Sequence, residues 1–236
     1  MTRTVVLAGA LDTKGREFEF VRDLIAQRGL QTLVIDFGVM GEPACSPDIS
    51  RAEVAAAGNG DLATLADGNH KDEAMRVMAE GLAKIVRRLY EQGQLHGILS
   101  MGGSGGTSIA TAAMRTLPVG VPKVMVSTVG GGDVSAYAGT KDITFMPSVV
   151  DVAGINRISR VIYTNAAAAI SGMVSMEAPQ TQSDAPLIVA SMFGNTTTAV
   201  DHARGILEAA RYEVLVFHAT GTGGRAMEGL IADGYI

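Results

Sequence analysis

Tryptophan is absent, aromatic residues make up 5% of the chain, and there is a single cysteine, Cys45. With so few aromatic rings there is little from which to build a surface that stacks successive bases of a single-stranded nucleic acid. A lone thiol closes no internal disulfide, and in its proline-flanked loop Cys45 reads as inert rather than nucleophilic. Positive charge is short as well: 19 Lys and Arg against 24 Asp and Glu leave a net charge of -5. That balance argues against a duplex-binding face that works by neutralising phosphates. The histidines His70, His96, His202 and His218 are scattered, with no pair at zinc-ligand spacing. No apolar run reaches the length of a membrane span, and the first residues lack the charged, apolar and small succession of a signal peptide. The expectation is a cytoplasmic protein with neither a nucleic-acid nor a membrane partner.

What the chain does have is glycine, 29 of 236 residues, against a usual share of roughly 7%. The excess falls at particular places. Gly9-Ala-Leu-Asp-Thr-Lys-Gly15, Met101-Gly-Gly-Ser-Gly-Gly-Thr107, Thr128-Val-Gly-Gly-Gly-Asp133 and Phe193-Gly-Asn-Thr-Thr-Thr198 each follow an apolar, β-branched run and precede a helical pattern. In an open α/β sheet such turns line up along one edge, where backbone N–H groups at helix starts meet anions. This pattern predicts a nucleotide or phosphate binder.

Strand alternates with helix along the chain, which predicts an α/β fold with a doubly wound, mostly parallel, Rossmann-like sheet. Strands are expected over 4–8, 31–37, 97–100, 122–127 and 142–146. Helices are expected from Arg16 to Arg28 with Gly29 as a left-handed cap, from Lys71 to Gln92, from the glycine turn through Met114, and from Gly154 to Val174. Residues 38–70 read as an irregular excursion beside the site, with Ser50 capping a short helix through Ala57. The methionines of the 71–92 helix read as core filling. A fixed ungapped offset sets Val5-Val-Leu-Ala8 on Leu187-Ile-Val-Ala190, Leu24-Ile25 on Ile206-Leu207, and Leu33-Val-Ile35 on Leu215-Val-Phe217, so a second copy opens near the end. The expected organisation is a lobe over 1–175, a linker over 176–185 and the opening βαβα of a second lobe over 186–236, the front part of a longer protein. Arg211 takes the helix-ending place that Gly29 holds in the first copy.

Several residues have the chemistry for an anion site. Gly102, Gly103, Ser104, Gly105 and Gly106 would present consecutive N–H donors, with Thr107 closing the segment. Near Gly9, Lys14 would add charge, Thr13 a hydroxyl and Asp12 a carboxylate for a magnesium ion or a ribose hydroxyl, unless Asp12 is a helix cap. Gly130, Gly131 and Gly132 repeat the design, and Asp133 is either a turn cap or a cation ligand. Asp36, at the end of the second strand, stands where an acidic residue holds ribose in nucleotide folds, or is a plain turn carboxylate. A Walker loop and a dinucleotide fingerprint are both missing. Gly102-Gly-Ser104-Gly-Gly106 has the spelling of a nucleophile elbow, but no His and Asp follow in order to complete a triad.

Taken in order, these four glycine segments resemble the ATP-binding family typified by the N-terminal domain of the tomato mosaic virus resistance protein. The resemblance covers essentially the whole chain. It implies two Rossmann-like lobes, ATP and Mg2+ as ligands, and self-association into a homodimer; the residues themselves would put the metal near Asp12 or Asp133. The alternatives are an enzyme acting on a small phosphorylated or carboxylate metabolite at the same loops, and a structural or regulatory subunit without ligand.

Overall fold

The computed structural model describes residues 2–67, 70–177 and 185–236. The chain divides into two compact units, one of residues up to 138 together with 142–177, the other of 139–141 together with the residues from 178 on. Of the expected linker, 178–184 lie outside the described residues, as does Gly68.

The first unit is built on five parallel strands: β1 (Thr4–Gly9), β2 (Gln31–Asp36), β3 (Gly97–Gly102), β4 (Lys123–Ser127) and β5 (Thr144–Pro147), in the order β2-β1-β3-β4-β5. Their continuous apolar stretches are what a sheet covered on both faces requires. On one face lie α1 (Leu11–Ala26) and α7 (Arg157–Ser175), whose Phe18, Val21, Ile25, Tyr163 and Ile170 pack on Val5, Leu7, Leu99 and Val124. On the other lie α2 (Arg51–Ala57), α4 (Lys71–Glu91) and α5 (Ser104–Met114), whose Val54, Met78, Leu82, Ile109 and Ala113 pack on Val6, Ala8, Ile98 and Met125. Short helices α3 (Leu62–Leu65) and α6 (Ser135–Ala138) complete the unit. The helix after β1 and the helix after β3 thus cover opposite faces, although these strands are neighbours. A topological switch point opens between them, beyond the strand ends.

Local chemistry explains several element ends. Ser50 and Glu53 form a reciprocal capping box at the start of α2, the helix expected there. Gly29 closes the turn after α1 with φ +80°, and in the second unit Arg211 takes the same left-handed conformation at φ +68°. For a residue with a Cβ that conformation costs about 1–2 kcal/mol. The largest departure from the sequence reading is at the first glycine segment. The helix begins at Leu11 and not at Arg16, because the Asp36 carboxylate reaches across from β2 and accepts the Leu11 N–H at 3.0 Å. Asp12, Thr13 and Lys14 are therefore first-turn helix residues and not loop.

The second unit holds β6 (Leu187–Met192), a 3-10 turn at 194–196, α8 (Thr197–Ala209), β7 (Glu213–His218) and α9 (Gly223–Ala232), with the two strands parallel. The repeat is real as a βαβα opening. Its ladder departs from the ungapped correspondence by one residue, since Val5 faces Thr32 in the first copy while Leu187 faces Glu213 in the second. Among the described residues 185–236 none is fully buried, as two strands and two helices provide too little apolar surface for a closed core. None of the described helices is long and apolar enough to cross a membrane.

Candidate functional site

At the switch point, beyond the ends of β1, β2 and β3, the first unit holds a cavity of about 390 Å³. Several elements build it. The start of α1 contributes Ala10, Asp12 and Thr13; the segment after β2 contributes Phe37, Gly38, Val39 and Met40; Leu65, Met75, Met78 and Ile109 supply the apolar remainder from the helical face. Gly105 and Gly106, in the first turn of α5, line it as well.

The start of α5 has the makings of an anion site. Gly103 occupies the cap position, has no side chain, and so leaves the helix start without a side-chain cap. The amides of Ser104, Gly105 and Gly106 head the helix, whose dipole adds partial positive charge there. A Cβ on Gly106 would meet nothing within 4 Å, and one on Gly105 would meet only the Met75 methyl at 3.8 Å. The space above these glycines is open. Behind them the turn is held rigid: the Thr107 hydroxyl donates to the Gly103 carbonyl at 2.8 Å and accepts from Ser127 Oγ at 2.7 Å, while Val129 N–H donates to Ser127 Oγ at 3.2 Å. Thr107 is fully buried and acts as this brace. Of the five expected donors, Gly102 is buried as the last residue of β3, while Gly103 is the cap and Ser104, Gly105 and Gly106 form the first turn.

The remaining expected residues are placed differently. Lys14 turns its ammonium away from the cavity and donates to the Val152 carbonyl at 2.5 Å. Asp36 is fully buried, its Oδ1 accepting from Leu11 and from Gly38 at 2.8 Å while Oδ2 has no hydrogen-bond partner, so it ties the start of α1 to the end of β2. Burial pushes its carboxyl above the ordinary range, partly offset by those two amides. Gly130 and Gly132 belong to the turn after β4, bonded back to Ser127 and Val129, with Gly131 between them. Asp133 caps the next turn by accepting Ser135 N–H at 2.9 Å, which holds its carboxyl below the usual range. None of these residues lines the cavity. Gly9 is small for a packing reason: a Cβ there would fall 2.1 Å from the Phe18 ring.

Asp12 does line the cavity, with Oδ2 accepting from Met40 N–H at 3.0 Å and Gly41 N–H at 3.2 Å. Thr13 lines it too, though its hydroxyl donates to the Ala10 carbonyl. The cation at the cavity is Lys71, at the exposed start of α4. The sequence reading missed it, along with Phe37 to Met40, and Met75 is cavity wall as well as core filling. The signal for Phe37 to Met40 was the reading of 38–70 as an irregular segment beside the site, directly after the second strand. Among the described residues no three His, Cys, Asp or Glu side chains gather as a metal set. Asp12 accepts two amides through Oδ2 while its Oδ1 has no hydrogen-bond partner, and Asp133 accepts from its own turn.

A family model described as the uncharacterised protein family UPF0261 N-terminal domain matches residues 3–179, and its C-terminal domain counterpart matches 185–236. The chain belongs to the UPF0261 family. A UPF0261 protein of Clostridium tetani is 52% identical over 236 residues, covering all of this chain and 58% of the relative. One from Rhizobium meliloti is 44% identical over 234 residues, 57% of its length. This chain therefore spans rather more than half the length of the curated relatives it matches. The tomato ToMV resistance protein Tm-1(GCR237) is 43% identical over 168 residues, 69% of this chain and 22% of the plant protein. Among solved structures, a UDP-N-acetylglucosamine 2-epimerase from Rickettsia bellii overlaps 97% of this chain and 65% of its own at a TM-score of 0.40 and 10% identity, a resemblance too weak to carry a function.

Proposed function

We propose that this UPF0261 chain binds a nucleotide, ATP first, with its base in the apolar cavity and its phosphates at the start of α5. One observation carries the reading: Gly105 and Gly106, which head an uncapped helix, also line an apolar cavity at the β1/β3 switch point. Flat apolar rings suit a wall of Phe37, Val39, Met75 and Met78, since thioethers pack well on aromatic systems. A negative group suits the amides of Ser104, Gly105 and Gly106, with Lys71 adding charge at the mouth. A sugar phosphate would leave the apolar wall unmatched, which favours the nucleotide over a small metabolite. Magnesium would come with the phosphates, since no three His, Cys, Asp or Glu side chains gather as a metal set among the described residues. A cytoplasmic, dimeric state belongs to the same proposal, and sedimentation of the purified protein checks the dimer.

The test is calorimetric titration with ATP, with and without Mg2+, of the natural protein and Gly106→Asp. The Asp side chain enters open space and its charge favours a helix start, so the variant is expected to keep its thermal midpoint. Its affinity should fall by at least about tenfold, or about 1.4 kcal/mol, because a carboxylate then faces the phosphates. Equal affinity in both proteins, or no heat with ATP at millimolar concentration, would remove the proposal.

A further inference from the structure

Met40 is 67% exposed, so side-chain packing alone does not fix the segment that forms one wall of the cavity. Its backbone is fixed instead from α1. Asp12 Oδ2 takes the N–H groups of Met40 and Gly41 at 3.0 and 3.2 Å, and the carboxylate lies so close over Gly38 that a Cβ there would fall 2.7 Å from Oδ1. Gly38 N–H in turn donates to the buried Asp36. Gly38, Met40 and Gly41 after β2 are thus clipped to the first turn of α1 by two carboxylates, one of them at the cavity itself. Oδ1 of the same carboxylate is buried without a hydrogen-bond partner.

The geometry points to Asp12 as a positioning residue, which sets the wall formed by Gly38, Val39 and Met40 and thereby the width of the base slot. This rests on the nucleotide reading of the cavity for its consequence, but the clip itself is independent of any ligand. An amide at position 12 keeps an oxygen that can accept both N–H groups, whereas a methyl cannot. A methyl on Gly38 would push the carboxylate off from the other side.

The experiment uses the full chain as Asp12→Asn, Asp12→Ala and Gly38→Ala, with thermal melts to confirm folding. Hydrogen exchange of the amides of Met40 and Gly41 is read without ligand, and ATP affinity by titration with and without Mg2+. Asp12→Asn is expected to keep amide protection and affinity close to those of the natural protein. Asp12→Ala and Gly38→Ala should exchange those amides at least about tenfold faster and bind ATP at least about tenfold more weakly, with an unchanged Mg2+ dependence. The inference is overturned if protection at 40 and 41 is unaltered in both alanine variants, or if Asp12→Asn retains protection yet loses affinity as far as Asp12→Ala, since the charge would then act on ligand or metal directly. Should the natural protein bind no ATP while Asp12→Ala still frees the amides, the nucleotide reading fails and the clip stands.

Discussion

Single residues in this molecule are set by partners distant in sequence, and Asp36 carries a pH dependence for that reason. Its carboxyl is fully buried and its proton is held more tightly in the folded than in the unfolded chain, chiefly through desolvation. The stability that the protonated form contributes is complete below the ordinary carboxylate pKa, near 3.9, and is lost as pH rises through the higher folded value. Asn at this position can still accept from Leu11 and Gly38 but cannot ionise. Asp36→Asn is therefore expected to gain stability relative to the natural protein as pH rises from 4 to 7, with the two converging in acid. Urea midpoints across that range read it, and a difference that narrows toward neutrality would contradict the assignment. Asp36 also shows why the site was only partly legible. Its position at the end of β2 was visible in the sequence, but nothing local says that it reaches 25 residues back to start α1 at Leu11, and so turns Lys14 away from the cavity.

Elements were more legible than their contacts. Apolar runs and helical periods mark all five strands and the long helices of the first unit, and Ser50 with Glu53 announces α2 by capping chemistry alone. What the periods do not give is the distance between helices. At the α2/α4 crossing a Cβ on Gly81 would fall 1.9 Å from the Val54 carbonyl, and one on Gly58 2.1 Å from the Val77 carbonyl, so each backbone lies on the other. Gly81→Ala gains about 1 kcal/mol in helix propensity but must separate two backbones. The expected net result is a loss of about 1–3 kcal/mol, measured by denaturant unfolding. A neutral outcome would mean that the helices slide apart freely. Because α4 also carries Met75, Met78 and Lys71, such a shift would widen the cavity as well.

For the whole molecule, the strand alternation was enough to give the doubly wound class, and the repeat enough to give a second βαβα opening. The strand order and the cavity were not, since both depend on which face each helix chooses. Those choices bring residues from 10 to 109 together in the first unit, with no cavity-lining residue from the second. A polypeptide ending at Glu177 is expected to fold with the cavity intact and to bind ATP within about threefold of the full chain, a difference well under the 1.4 kcal/mol of a tenfold change. Calorimetry on the two forms decides this, and loss of binding in the shorter one would mean that the second unit completes the site.

The brace of Thr107, Ser127 and Gly103 bears on heredity as much as on rigidity. Each hydroxyl ties its own backbone turn to the other's, so a change at either position alone strands a polar group in the interior, and the first step of any exchange of partners is the unfavourable one. Lineages that retune the ligand would alter the open glycines, which have room to vary, long before they touch this hidden pair.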